Sequence, residues 1–273
     1  MRKLLRIALL LLIVVGAICL LIFRRGEEYL AVKEKELERF VYADALAYRN
    51  EVPLIAPLDG VFIPLFSDGE RVPAKTVVAT IGGTPIKNQI AGTVSWYSDG
   101  LESVLGPGVL MGLKQDYLID WDKQVKKSSS GDSFYKGEII GRIVDNYAWF
   151  LLVFSDMPAK KGEKVAVTIN KTTYNATVSE VLSNNRLALV LNFYQKEVAL
   201  YRVLRNIKIG KEPLRGIIIP STALIEAEEG FYVEIMYKNK RKNQPVRLVG
   251  RWQNQVVVDG LPSGAKVILA KNR

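Results

Sequence analysis

The sequence predicts a mainly β protein carried on one N-terminal membrane-spanning helix. Three observations predict it. Residues Ile7 to Phe23 form an uncharged apolar run. From about Ala45 the apolar residues alternate with period two, in short runs rich in Val, Ile, Thr and Tyr and punctuated by Gly, Pro, Asn and Asp. A weak internal repeat of strand, glycine, strand and Asp-Gly turn lies within that region.

The apolar run reads IALLLLIVVGAICLLIF. At 1.5 Å per residue it covers about 25 Å, and about 30 Å with Leu4 and Leu5, enough to cross a bilayer core. A cleaved signal peptide needs small residues in an A-x-A pattern behind a short apolar core, and Leu20-Leu21-Ile22-Phe23-Arg24-Arg25 stands there instead. Cys19 follows Ile18, where a lipoprotein site needs a small residue. Arg2, Lys3 and Arg6 precede the span, while Arg24, Arg25, Lys33, Lys35 and Arg39 follow it, so the positive-inside count does not favour export of the C-terminal side. Long domains translocate largely regardless of such charges, and a tail of a few residues favours a cytoplasmic N-terminus. The expectation is a single-pass protein of the cell membrane with an extracytoplasmic body.

The next segment, Gly26 to Phe40 (GEEYLAVKEKELERF), is charge-rich, with Leu30, Leu37 and Phe40 near helical spacing. It predicts a short helical stalk over 26–44. Strands follow from 45 to 219. They are interrupted at Leu101 to Lys127, where Leu110, Leu113, Tyr117, Leu118 and Trp121 recur at helical spacing, and Ser128-Ser129-Ser130-Gly131-Asp132 ends the interruption. A helical insertion over about 101–130 is expected.

The repeat carries the architecture. Ile55-Ala56-Pro57-Leu58-Asp59-Gly60-Val61 precedes Ser67-Asp68-Gly69-Glu70, and Ile90-Ala91-Gly92-Thr93-Val94 precedes Ser98-Asp99-Gly100-Leu101-Glu102. Gly60, Gly69, Gly92 and Gly100 read as structural turns. Neither unit can bury a core alone; packed face to face they make a β-sandwich with pseudo-twofold symmetry.

Chemistry is scarce in this chain. It holds 273 residues and no His, so Ser-His and Cys-His nucleophiles are excluded. Its one Cys lies in the apolar run, which leaves the body without a disulfide. No Walker-type or G-x-G-x-x-G phosphate loop occurs. Asp116 and Asp120, with Asp122 nearby, share a helical stretch, but two carboxylates among Lys114 and Lys123 are too few for a metal site and read as a solvated face. Lys87 lies too near Gly92, and outside a Met or Asp-Lys-Ala context, to read as a lipoyl or biotinyl lysine. No cofactor, no metal and no catalytic residue is expected. Given the exported location, the formal charge of +10 points either to a solvated basic surface, the reading that fits most of these charges, or to anionic headgroups or wall polymers, rather than to nucleic acid. Its densest cluster, Lys238, Lys240, Arg241 and Lys242, lies between two strand-like runs, where it is either a solubilising turn or a contact with lipid or an acidic partner.

At the repeat the sequence resembles the membrane fusion protein family, the HlyD-like periplasmic adaptors. The first lipoyl-like half-motif is Ile55 to Val61 with Asp68-Gly69-Glu70-Arg71-Val72 and Val77 to Ile81. The second is Gln89 to Ser95, resumed after the insertion by Tyr135-Lys136-Gly137-Glu138-Ile139 to Asn146. Pro158 to Val178 and Gly216 to Leu224 resemble the family's β-barrel, and Gly230 to Val267 its membrane-proximal domain. The resemblance implies a lipoyl-like barrel-sandwich hybrid at 45–146, a β-barrel at 147–219 and a small membrane-proximal β domain at 220–273. It departs from the family in two respects. Only Gly82 to Asn88 separates the half-motifs, where the family usually carries a long coiled-coil hairpin. The helical insertion lies inside the second half instead and lacks sustained heptads. The resemblance implies a non-catalytic adaptor of an efflux or secretion transporter, partnered by an ABC or proton-driven permease, with homo-oligomerisation open. The alternative is an envelope scaffold serving wall or division machinery.

Overall fold

The computed structural model describes residues 29–102, 105, 124–182, 186–191, 196–262 and 264–269. The expected span at 7–23 and nearly all of the expected helical insertion, Asp116, Asp120 and Asp122 included, lie outside the described residues. Among those described, no helix is long and apolar enough to cross a membrane.

The described chain is mostly strand, with almost no helix. It runs β1 (Tyr29–Ala31), β2 (Glu34–Ile55), β3 (Gly60–Pro64), β4 (Arg71–Val72), β5 (Val77–Ile81), β6 (Thr84–Lys87), β7 (Gly92–Ser95) and β8 (Tyr97–Ser98). Beyond residue 123 come β9 (Lys126–Lys127), β10 (Ser133–Phe134), β11 (Ile139–Phe154), β12 (Lys164–Ile169), β13 (Thr172–Leu182) and β14 (Arg186–Leu191). A short helix α1 (Lys196–Leu200) precedes β15 (Val203–Pro220), β16 (Leu224–Ala227), β17 (Gly230–Tyr237), β18 (Lys240–Trp252), β19 (Gln255–Asp259) and β20 (Lys266–Ile268).

Contacts divide the described chain into two units, one within residues 40–212 and the other formed by the described residues up to 39 together with those from 213 on. The first unit begins with a sandwich. One of its sheets is β10-β3-β5-β6; the other is built from β4, β7, β11 and the end of β2. Phe62, Ile81 and Ile86 from one sheet pack on Val94, Ile140 and Ile143 from the other, with Trp96 against Phe62 at 5.0 Å between ring centroids. Alternation puts these side chains inward, and Val61 and Ile63 outward.

The two halves are related as a pseudo-symmetric pair, and each lends a two-residue strand to the other's sheet. Gly60 of β3 pairs with Phe134 of β10, and Gly92 of β7 pairs with Val72 of β4. The turn equivalent to Ser67-Asp68-Gly69-Glu70 is therefore Ser129-Ser130-Gly131-Asp132, not Ser98 to Glu102. In both turns the glycine has φ near +90°, and the carboxylate at the fourth position accepts the N–H of the first. The insertion obscures this by standing between β7 and the turn that belongs to it.

The rest of this unit is a barrel. Strands β15, β12, β13, β14 and β11 follow one another, and β2 pairs with both β11 and β15, which closes the ring. Closure removes the edges that an open sheet would expose. Val165, Val167 and Ile169 of β12 alternate inward with Val178, Leu187 and Leu189.

The second unit holds β1, the start of β2, the end of β15 and β16 to β20 around Val233, Ile235, Ile219, Val258 and Val267. The helical stalk expected at 26–44 is corrected here: all of its described residues outside Val32 and Lys33 are strand. Tyr29, Leu30 and Ala31 pair with Ile268, Val267 and Lys266, and Val32 is buried in the core. Lys33 to Arg39 are good helix formers, but burial of Val32 and Leu37 and the ladder to β20 outweigh propensity differences of a few tenths of a kcal/mol per residue.

Candidate functional site

Strands β2 and β11 both run from the sandwich into the barrel, and their ladder breaks between the two. Val144 pairs with Glu51, and the next pair is Trp149 with Arg49, so residues 145–148 stand against Asn50 alone. Such a bulge bends and twists both strands. Trp149 Nε1 donates to the Asp145 carbonyl at 2.6 Å, and Thr93 Oγ1 donates to Asn146 Oδ1 at 2.8 Å, which ties the bulge to itself and to β7.

Six charged side chains meet at this break, and each is at most 3% exposed: Arg49, Glu51, Asp99, Glu102, Arg142 and Arg202. Arg202, at the end of α1, grips Asp99 with Nε at 2.7 Å and Nη2 at 3.1 Å, and its Nη2 also meets Glu51. Arg142 of β11 reaches Asp99 at 2.9 Å, Glu102 at 3.4 Å and Glu51 at 3.4 Å, and donates to the Leu200 carbonyl. Arg49 lies 3.5 Å from Glu51 and donates to the Tyr201 carbonyl. Asp99 and Glu102 are fastened to each other as well, because the Asp99 N–H donates to Glu102 Oε1 at 2.7 Å.

Three positive charges face three negative ones, so the burial is balanced. Desolvation would push the Asp99 carboxyl upward, but hydrogen bonds and charge from Arg202 and then Arg142 hold it well below the usual carboxylate range. For Arg202, desolvation works against the charge and is outweighed by Glu51 and Asp99, which raise it. Arg49 is the costly member. Burial lowers it, and the neighbouring Arg142 adds to that, with Glu51 opposing.

The predicted site residues lie elsewhere. Gly60 and Gly92 are not turns but strand positions of close approach. A Cβ on Gly60 would meet Gly82 N at 2.8 Å, and one on Gly92 would meet the Val144 carbonyl oxygen at 2.3 Å. Gly69 and Gly100 have positive φ in turns. Gly100 lies between Asp99 and Glu102, two of the buried charges. Lys87 ends β6, exposed; the tight turn is Gly82-Gly83, so the connection between half-motifs is a hairpin.

The basic cluster is split by strand geometry. Lys238 and Asn239, both at positive φ, form the two-residue turn between β17 and β18. Lys240, Arg241 and Lys242 are in β18, opposite Tyr237, Met236 and Ile235. Arg241 therefore faces away from Lys240 and Lys242 and meets Glu234 at 3.5 Å. Lys238, Lys240 and Lys242 stay exposed beside Tyr237, which is 55% exposed.

Sequence reading missed the buried charges because their partners are far apart in the chain. The available signal was a charge inside an apolar run, as for Arg142 in Ile139-Ile140-Gly141-Arg142-Ile143-Val144 and Arg202 between Leu200 and Val203. Among the described residues no group of His, Cys, Asp and Glu is arranged to hold a metal ion.

The sandwich is a barrel-sandwich hybrid domain. A family model described as RND related, barrel-sandwich hybrid domain matches residues 51–145. This domain belongs to that family, and the resemblance to membrane fusion proteins, in a form with a short hairpin between the half-motifs, holds. Among solved structures, MacA from Actinobacillus actinomycetemcomitans is similar at 14% identity over 90% of this chain and 100% of that one, with a TM-score of 0.43. ZneB from Cupriavidus metallidurans is similar at 11% identity over 90% and 92%, with a TM-score of 0.32. A MacA-MexA chimera containing the Pseudomonas aeruginosa MexA α-hairpin domain is similar at 15% identity over 70% and 87%, with a TM-score of 0.34. No curated protein matches the sequence.

Proposed function

We propose that the chain is a membrane-anchored, extracytoplasmic and non-catalytic adaptor of an efflux or secretion transporter. The observation that carries this reading is the RND-related barrel-sandwich hybrid domain at 51–145. The apolar run at 7–23 supports anchorage, and the absence of His from the whole sequence leaves few routes to acid–base or nucleophilic catalysis. The partner in this reading is an integral membrane permease, of the ABC or proton-driven type. Because Gly82-Gly83 closes β5 onto β6 directly, this reading has no long hairpin between the half-motifs with which to dock onto an outer-membrane channel.

The test is cross-linking of the full chain in its native membrane, followed by purification and identification of the bound protein. A polytopic permease is the expected product. Recovery of wall-synthesis or division proteins instead would replace the adaptor reading with that of an envelope scaffold.

The exposed lysines of the β17–β18 hairpin belong to the same reading. Lys238, Lys240 and Lys242, with Tyr237 beside them, are proposed to contact anionic lipid headgroups, since each cation near such a surface contributes about 1 kcal/mol.

A further inference from the structure

We propose that the six buried charges form a latch. It pins the root of the inserted segment to the joint between sandwich and barrel, so that root, sandwich and barrel move as one body. The proposal does not depend on the adaptor reading.

Four separate parts of the chain enter the cluster. Arg49 and Glu51 stand on either side of Asn50 on β2, where the ladder to β11 is interrupted. Arg142 comes from the sandwich portion of β11. Arg202 comes from the connection between α1 and β15, and its carbonyl accepts the Ala47 N–H at 2.7 Å, which seats it on the barrel portion of β2. Asp99 and Glu102 come from the first turn of the insertion, just past β8, whose ladder to β9 brings the two ends of that insertion together.

At this level the ladder between β2 and β11 is interrupted, because residues 145–148 stand against Asn50 alone. On these strands Leu54 and Ile143 belong to the sandwich core and Leu46 and Leu152 to a cluster in the barrel, with Val144 and Trp149 buried between them. Asp99 bridges the two sides, since it accepts from Arg142 on the sandwich side and from Arg202 on the barrel side. An apolar contact tolerates sliding. A buried carboxylate shared between two guanidinium groups does not, since displacement strands an uncompensated charge in a dry site.

The test measures distances between two spin labels in the full-length protein in lipid nanodiscs. Labels are attached at Gln124→Cys, on the returning limb of the insertion, and at Lys161→Cys, in the barrel turn before β12, with Cys19→Ala as background. Both labelled positions are exposed. The unmodified cluster is expected to give one narrow distribution. Asp99→Asn, which keeps the shape and removes the charge, is expected to widen it at least twofold. Arg202→Gln should do the same, and the double variant should widen it no further than either alone. Glu102→Gln is the milder variant and retains an acceptor for the Asp99 N–H. It decides the matter if Asp99→Asn does not fold, with widening expected and an unchanged width overturning the latch. An unchanged width in a folded Asp99→Asn protein of lowered Tm would likewise overturn it, reducing the cluster to a contribution to stability.

Discussion

Phe62 and Val94 make the same pair of backbone hydrogen bonds in the two halves of the sandwich. The Phe62 N–H donates to the Asp132 carbonyl and its carbonyl accepts from Gly131; the Val94 N–H donates to the Glu70 carbonyl and its carbonyl accepts from Gly69. Each of these residues lies two positions after a strand-initial glycine, Gly60 or Gly92, and both side chains are fully buried. The equivalence makes the tightness at the two glycines a property of the architecture, and several measurable outcomes come from it and from the charge cluster.

Gly60→Ala and Gly92→Ala should both lower stability, Gly92→Ala more, because its Cβ would lie 2.3 Å from the Val144 carbonyl oxygen. Overpacking of this kind costs about 1–3 kcal/mol. Urea unfolding would show it. Equal stability of the Gly92→Ala protein and wild type would mean that β7 and β11 are not this close.

Removing one partner from the charge cluster should cost more than removing several. Arg202→Met leaves Asp99 and Glu51 short of a cation and is expected to cost about 3–5 kcal/mol. Arg202→Met combined with Asp99→Leu removes an opposite pair and should recover part of that loss. A double variant whose loss equals the sum of the two single losses would indicate that the two residues are not coupled.

Acid should weaken the cluster in one direction only. The Asp99 carboxyl is held below its ordinary value in the folded protein, so the unfolded chain binds its proton first as pH falls. Its stabilisation is complete above about pH 4, the unfolded carboxylate range, and declines as pH falls toward the folded value. Thermal melts from pH 7 to pH 3 should fall less steeply for Asp99→Asn than for wild type, provided the variant starts from a lower Tm.

Excision of the insertion should depend on its limits. The β8–β9 ladder sets Ser98 beside Lys126 and Tyr97 beside Lys127, so a short Gly/Ser linker replacing 106–123 has little distance to cover. That protein should fold. Replacing 102–131 should not be tolerated, because it deletes Glu102, the strand β9 and Gly131, whose N–H bonds Phe62. Circular dichroism and resistance to trypsin distinguish the two outcomes.

Sedimentation with vesicles tests the hairpin lysines. The triple variant Lys238→Gln, Lys240→Gln and Lys242→Gln, made in the body without the apolar run, should bind vesicles containing anionic lipid at least tenfold less than the unsubstituted body. Neither should bind neutral vesicles. Equal binding would remove lipid contact from the proposed role.

The alternation of apolar residues, the glycine punctuation and the first part of the repeat carried the β class and the equivalence of Gly60 with Gly92, because strand period and close backbone approach are local requirements. Two local readings failed where distant partners intervened. Lys33 to Arg39 favour a helix by propensity, yet Leu30 to Val32 have their partners in β20 and its approach, far along the chain. Ser98 to Glu102 copies the Ser67 to Glu70 pattern, yet the equivalent turn is Ser129 to Asp132 and lies beyond the insertion. The charge cluster shows the same limit most clearly. Arg142 and Arg202 each look like an isolated charge in an apolar run, and nothing nearby in sequence neutralises either. Only the folded arrangement brings both to Asp99, since the cost of burying a charge is settled by the groups that surround it in space.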